Sequence, residues 1–170
     1  YHGKTGVLTM PGFIKPKPGL PHYNYSARVL ADYMGIVFEV TPEILASRSN
    51  ATTPTSTVSP GSVCIQCHGL LTPLAVQRSN WNDDGTYRNG VDEDGKTIDD
   101  SDQNLVPDYP YKGKGMEAFA TVAVRKEGFL RKTFDTQYQL FMGRAMRYKE
   151  DERTVYRQLW RSAFDTNGNL

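Results

Sequence analysis

A chain of 170 residues, 38% of them apolar, is long enough for one ordinary domain with its own core. Its 20 basic and 19 acidic residues leave a net charge of +1, which gives no basis for the one-sided positive surface that nucleic-acid binding needs. No run approaches the roughly 18 apolar residues that would cross a bilayer, and two cysteines three positions apart cannot build a disulfide framework.

With 15 Gly and 10 Pro, the pattern is that of a mainly α, loop-rich fold with few or no strands. Residues 6–14 form a short apolar segment closed by Pro-rich punctuation over 15–21. Val29, Leu30, Tyr33, Met34 and Val37 then share one helical face, with Asn24 or Ser26 as the cap. Residues 47–60 are mostly Ser, Thr, Pro, Asn and Ala, the composition of a polar linker and the expected first site of proteolysis. A short helix begins near Val63 and carries both cysteines. Residues 80–110 are acidic and lack an apolar period, so they read as a long excursion with at most one short strand pair, around Tyr87 and 96–98, and no internal repeat. Met116, Phe119, Ala120 and Ala123 lie on one helical face. Phe134, Tyr138, Phe141 and Ala145 recur at spacings of 4, 3 and 4 and predict an amphipathic helix, widened by Met142 and Met146. A last helix, capped by Asp151, buries Val155, Leu159, Trp160, Ala163 and Phe164 and stops at Asp165-Thr166-Asn167-Gly168. The chain thus divides into an N-terminal segment and helix (1–46), the linker (47–60), the cysteine-bearing region with the excursion and closing helix (61–147), and the start of a following helical region (148–170).

Cys64-Ile65-Gln66-Cys67-His68 has the C-x-x-C-H spacing of covalent haem attachment. Residues three apart share a face of a helical turn, so both thiols reach the vinyl groups of one porphyrin, and the next imidazole meets the iron. A thioredoxin-like disulfide would need a βαβ setting that the flanking pattern lacks. A zinc site would need two more ligands, and only His2 and His22 remain as nitrogen donors. The two strong apolar stripes, 29–37 and 134–146, lie far from the motif with no sheet to pack on. A porphyrin between them is expected to complete the core, leaving the haem-free chain without cooperative unfolding.

Other pieces of the chain extend this reading. Gly6-Val7-Leu8-Thr9-Met10-Pro11-Gly12-Phe13 opens the chain, and Leu71-Thr72-Pro73-Leu74 follows the motif. Gly85-Thr86-Tyr87-Arg88, Asp94-Gly95-Lys96-Thr97-Ile98-Asp99 and Leu140-Phe141-Met142-Gly143-Arg144 come after. In these pieces and their order the chain resembles the haem-bearing region of the planctomycete-type cytochrome c proteins, a family of large bacterial secreted proteins. It departs from the family at Thr72, where an Asp is usual, and over residues 15–28. The resemblance implies a cytochrome c-like fold of loop-rich helices around one covalent haem c, within a longer polypeptide. The implied activity is single-electron transfer in the bacterial periplasm or outside the cell, with a redox protein or a neighbouring haem in a larger complex as partner. That is an electron carrier rather than an enzyme. The alternatives are an accessory domain whose haem is mainly structural and, less favoured, a haem enzyme with an open distal site.

His68 supplies one axial bond. For the other, Met116 comes first, because Gly113-Lys114-Gly115-Met116-Glu117-Ala118-Phe119 is similar to the methionine loop of small cytochromes c. Met10 follows closely, His22 is third, and a vacant site is the remaining possibility. Each has an ordinary alternative: core packing for the methionines, a loop position for His22. Arg88, and secondarily Arg144, are candidates to pair with the haem propionates. The acidic runs at 82–85, 92–95 and 99–102 read as solvated turns rather than a calcium loop, since Ser101 would fall where an EF-hand needs a bidentate Glu.

Overall fold

The computed structural model describes residues 6–15, 21–49, 64–92, 94–99, 115–147 and 150–166. The fold is mainly α. After a 3-10 turn at Gly6–Thr9 come α1 (Pro11–Ile14), α2 (Pro21–Met34), α3 (Pro42–Ser49), α4 (Cys64–Arg78), α5 (Gly115–Ala123), α6 (Glu127–Met142) and α7 (Glu150–Asp165), with no strand among the described residues.

α2 is the central element. It starts at Pro21, earlier than its apolar period alone predicts, because proline is well suited to a first helical turn. Asn24 and Ser26 therefore lie inside the helix and do not cap it. Ser26 is fully buried, and its hydroxyl donates to the His22 carbonyl at 2.9 Å. Gly35, in the left-handed region at φ 69°, ends the helix, and the Ile36 N–H turns back to the Leu30 carbonyl. Val37 is thus beyond the helix and 73% exposed, not part of its buried stripe.

The core gathers Val29, Leu30 and Met34 of α2, Leu74 of α4, and Met116, Phe119 and Val122 of α5, closed by Leu8, Phe13 and Ile14 from the N-terminal segment. The ring of Phe13 stands edge-on to Tyr25 and Tyr33, and the Arg28 guanidinium lies 4.0 Å over its face. α2 packs directly on both α4 and α6. At the α6 crossing, a Cβ on Gly128 would fall 2.8 Å from the Met34 carbonyl oxygen, so only glycine admits this approach. The expectation of a porphyrin between the two apolar stripes is corrected at this crossing, where α2 and α6 meet directly, while Leu140, Phe141 and Met142 of the predicted stripe are exposed.

α6 and α7 form an antiparallel hairpin. Phe134 meets Tyr156 edge to face, the Arg131 guanidinium lies over Trp160, and Arg144 pairs with Glu152. α6 consequently uses two stripes, Gly128 and Phe129 toward α2 and Arg131 and Phe134 toward α7, while Tyr138 lies under the Arg144 guanidinium just past its end. Left-handed Gly143 stops it before Ala145 and Met146, and Phe141 and Met142, predicted on its buried face, are 80% and 54% exposed. α7 is corrected in the same way. Tyr156 and Ala163 are buried, Trp160 is half-buried, and Val155, Leu159 and Phe164 are exposed. It begins at Glu150, so Asp151 lies within it, and it ends at Asp165 as the stop signal predicts.

Two further expectations change. α3 occupies Pro42–Ser49, so the first three residues of the predicted linker are helical, and 50–60 lie outside the described residues. The excursion contains a repeat that only the backbone reveals. Asn82 N–H donates to the Thr86 carbonyl, Gly85 N–H to Asn82 and Arg88 N–H to Asn80. Ten residues later Asp92, Gly95 and Ile98 donate to Lys96, Asp92 and Gly90 in the same pattern. The bridges Trp81 to Tyr87 and Val91 to Thr97 close the two turns. No described helix is long and apolar enough to cross a membrane.

Candidate functional site

Cys64 opens α4, and Cys67 and His68 follow within its first turn and a half. The C-x-x-C-H motif therefore lies on a helix, as the chemistry of double thioether attachment requires. The helix runs on to Arg78 with Pro73 inside it, longer than the short element the sequence suggests. Cys67 is half-buried and carries a free thiol. His68 is half-buried as well, and its Nδ1 is buried without a hydrogen-bond partner. Its ring meets that of Tyr23 on α2, with centroids 4.8 Å apart and planes at 69°.

A c-type haem fits these residues. Thiol and imidazole follow one another at the start of α4, and both are half-buried, so one face of that helix presents the thioether and axial donors together. Cys64 and Cys67 would hold the porphyrin edge, and His68 would bind the iron.

The other candidates are placed as follows. Met116 is a core residue, 2% exposed, whose Sδ lies 3.6 Å from the Tyr25 hydroxyl. That hydroxyl also donates to the Leu8 carbonyl at 3.0 Å, and burial pushes the phenol above its ordinary pKa. Tyr23 and Tyr25 are two residues apart, about 200° around α2, so the contacts to His68 and to Met116 fall on different sides of that helix. Met10 is 52% exposed and serves as the backbone cap of α1, accepting from the Phe13 and Ile14 N–H groups. His22 is half-buried in the first turn of α2, next to Tyr23. No described contact joins Met116 or Met10 to His68.

Arg88 sits near Arg78, at the end of α4 away from His68; ten residues of helix, about 15 Å, separate Arg78 from the imidazole. Its backbone N–H closes the first repeated turn on Asn80. Arg144 is committed to Glu152. The acidic turns at 82–85 and 92–95 each turn one carboxylate inward on the turn itself, and 100–102 of the third run lie outside the described residues. Asp84 Oδ1 accepts from the Thr86 N–H and hydroxyl, and Asp92 Oδ1 accepts from the Asp94 and Lys96 N–H groups. No group of three or more His, Cys, Asp or Glu suited to a metal ion occurs among the described residues.

Sequence reasoning missed two residues. Tyr23 carries no local signal, because its contact depends on how α2 crosses α4. Arg78 looks like an ordinary basic residue in a last helical turn, yet its side chain is fully buried. It donates to the carbonyls of Trp81 at 2.6 Å, Ile14 at 3.4 Å and Asn82 at 3.4 Å, and pairs with Asp83 at 3.1 Å. Burial lowers its pKa and the Asp83 carboxylate opposes the shift. No family model, no curated protein and no solved structure matches this chain.

Proposed function

We propose that the chain is a monohaem c-type cytochrome domain, with one haem c bound through Cys64 and Cys67 and ligated by His68, that passes single electrons outside the cytoplasm within a larger protein or complex. The observation that carries this reading is the C-x-x-C-H sequence at the start of α4, which sets the Cys67 thiol and the His68 imidazole in succession on one helix. The haem supplies a one-electron iron couple, whose potential is set by axial ligand, hydrogen bonding and burial. The protein's part is to fix the ring edge through α4, to orient the imidazole and to place the group beside the α2–α4 contact. Acid–acetone extraction tests the attachment: the haem should stay with the protein. Cys67→Ala should lose one thioether link and most of the haem, and release of haem from the unaltered protein refutes the proposal.

A second reading, an accessory domain whose haem is mainly structural, draws on the α6–α7 hairpin, where Leu140, Phe141, Val155 and Leu159 are exposed. Exposed apolar clusters of this kind mark contact surfaces. Rapid reduction of the haem by a small one-electron donor, followed by reoxidation by a second haem protein, favours the carrier. A haem that exchanges electrons with neither favours the accessory role.

A further inference from the structure

We infer that Tyr23 is a positioning residue that sets the rotation of the His68 imidazole, and through it the electronic state of the iron; this rests on the haem reading above. Most metal-binding histidines are oriented by a hydrogen bond from their second ring nitrogen to a carbonyl or carboxylate. His68 has none: Nδ1 is buried and meets no acceptor or donor. What the ring does meet is Tyr23, at a centroid distance of 4.8 Å and 69° between planes, the edge-to-face arrangement that aromatic quadrupoles favour. Turning the imidazole about its Cβ–Cγ bond drives it into the tyrosine ring on one side and breaks the edge-to-face contact on the other.

The contact is held from both sides by the fold. Tyr23 stands in the first turn of α2, anchored by the buried residues Tyr25, Ser26 and Val29 that follow it, and His68 stands early in α4, anchored by Leu74. The two helices pack together along this line. The aromatic edge thus replaces the usual polar partner, and it leaves the ligand's basicity untouched while fixing its plane. The orientation of that plane relative to the porphyrin nitrogens governs the splitting of the iron d orbitals, which low-spin ferric electron paramagnetic resonance reads as g-values.

The test uses the ferric holoprotein, with haem content measured as the pyridine haemochrome. Wild type and Tyr23→Phe, which keeps the ring, should share one set of g-values. Tyr23→Leu should add a second set or broaden the first; if it does not fold, Tyr23→Met, which fills the volume without a ring, takes its place. Tyr33→Leu, which removes an α2 ring that packs on Phe13 instead, should leave the g-values unchanged. Identical g-values in wild type and the folded ringless variant overturn the inference, as does an equal change in Tyr23→Phe or Tyr33→Leu. Absence of covalent haem from wild type overturns the functional proposal and this inference with it, whereas intact haem with unchanged g-values overturns the inference alone.

Discussion

Arg78 shows what a single buried charge does in this fold. Its guanidinium ties the end of α4 to the last carbonyl of α1 and to the first repeated turn, three pieces of chain with no shared ladder. Removing it strands those carbonyls in the interior. Arg78→Met, of similar length, should cost about 3 kcal/mol, the scale of a lost hydrogen-bonded charge, read as a lower urea midpoint. Asp83→Asn should cost under about 1 kcal/mol, because its carboxylate is largely in solvent. Equal losses would mean that the ion pair, not the carbonyl clamp, is what matters. Gly85 serves the same junction. It sits at φ 86° and a Cβ there would fall 2.8 Å from the Cα of Pro11, so Gly85→Ala should separate the turn from α1 and lower the same midpoint. The C-x-x-C-H pattern was legible because it is local, five consecutive residues at the start of α4. Arg78 and Tyr23 were not, because their partners are set by crossings between distant segments.

At the scale of elements, the periods located helices well and faces poorly. α5 through α7 fall where the apolar spacing places them, yet the predicted buried stripe of α6 ends in exposed Phe141 and Met142. A helix with two neighbours divides its apolar residues between two stripes, and the period alone cannot assign them. The ten-residue repeat of turns was hidden for a related reason. Its two copies share only Asp84 with Asp94 and Gly85 with Gly95, and the likeness lies in backbone hydrogen bonds. The α6–α7 hairpin makes a pH-dependent prediction. Glu152 accepts from Arg144 Nη1 at 3.2 Å and from the Arg147 N–H at 2.7 Å, and these partners hold its pKa down to about 2 from 4.5. Because the folded value is the lower one, the contribution is complete above pH 4.5 and is lost as pH falls toward 2. Amide exchange in α7 should accelerate across that window. Glu152→Gln should exchange faster at neutral pH and show no further step on acidification; an unchanged acid step in the variant would assign it to another group.

For the whole molecule, the direct packing of α2 on α4 and α6 changes what a haem bound as proposed would be needed for. Val29, Leu30, Leu74, Met116 and Phe119 are nearly solvent-free through contacts with one another and with the N-terminal segment. Apolar burial of this kind stabilises at about 25 cal/mol per Å², and these core residues do not include the half-buried His68. Gly128 makes the same point, since a Cβ there would fall 2.8 Å from the Met34 carbonyl oxygen, so α2 and α6 meet backbone to backbone at this crossing. A haem bound as proposed would add to a core that exists, as a ligand adds stability to a state it binds, and would not create it. A chain with Cys64→Ala and Cys67→Ala, made without haem, should therefore keep a single cooperative thermal transition, at a lower temperature than the holoprotein. Gly128→Ala in that background should weaken the transition by about 1–3 kcal/mol, the scale of overpacking, despite alanine's better helix propensity. Loss of cooperativity in the double cysteine variant alone would show that helix packing depends on the prosthetic group. Retention there, together with a loss at Gly128→Ala, would place the cooperative unit at the α2 crossings and leave the haem to tune the region around His68.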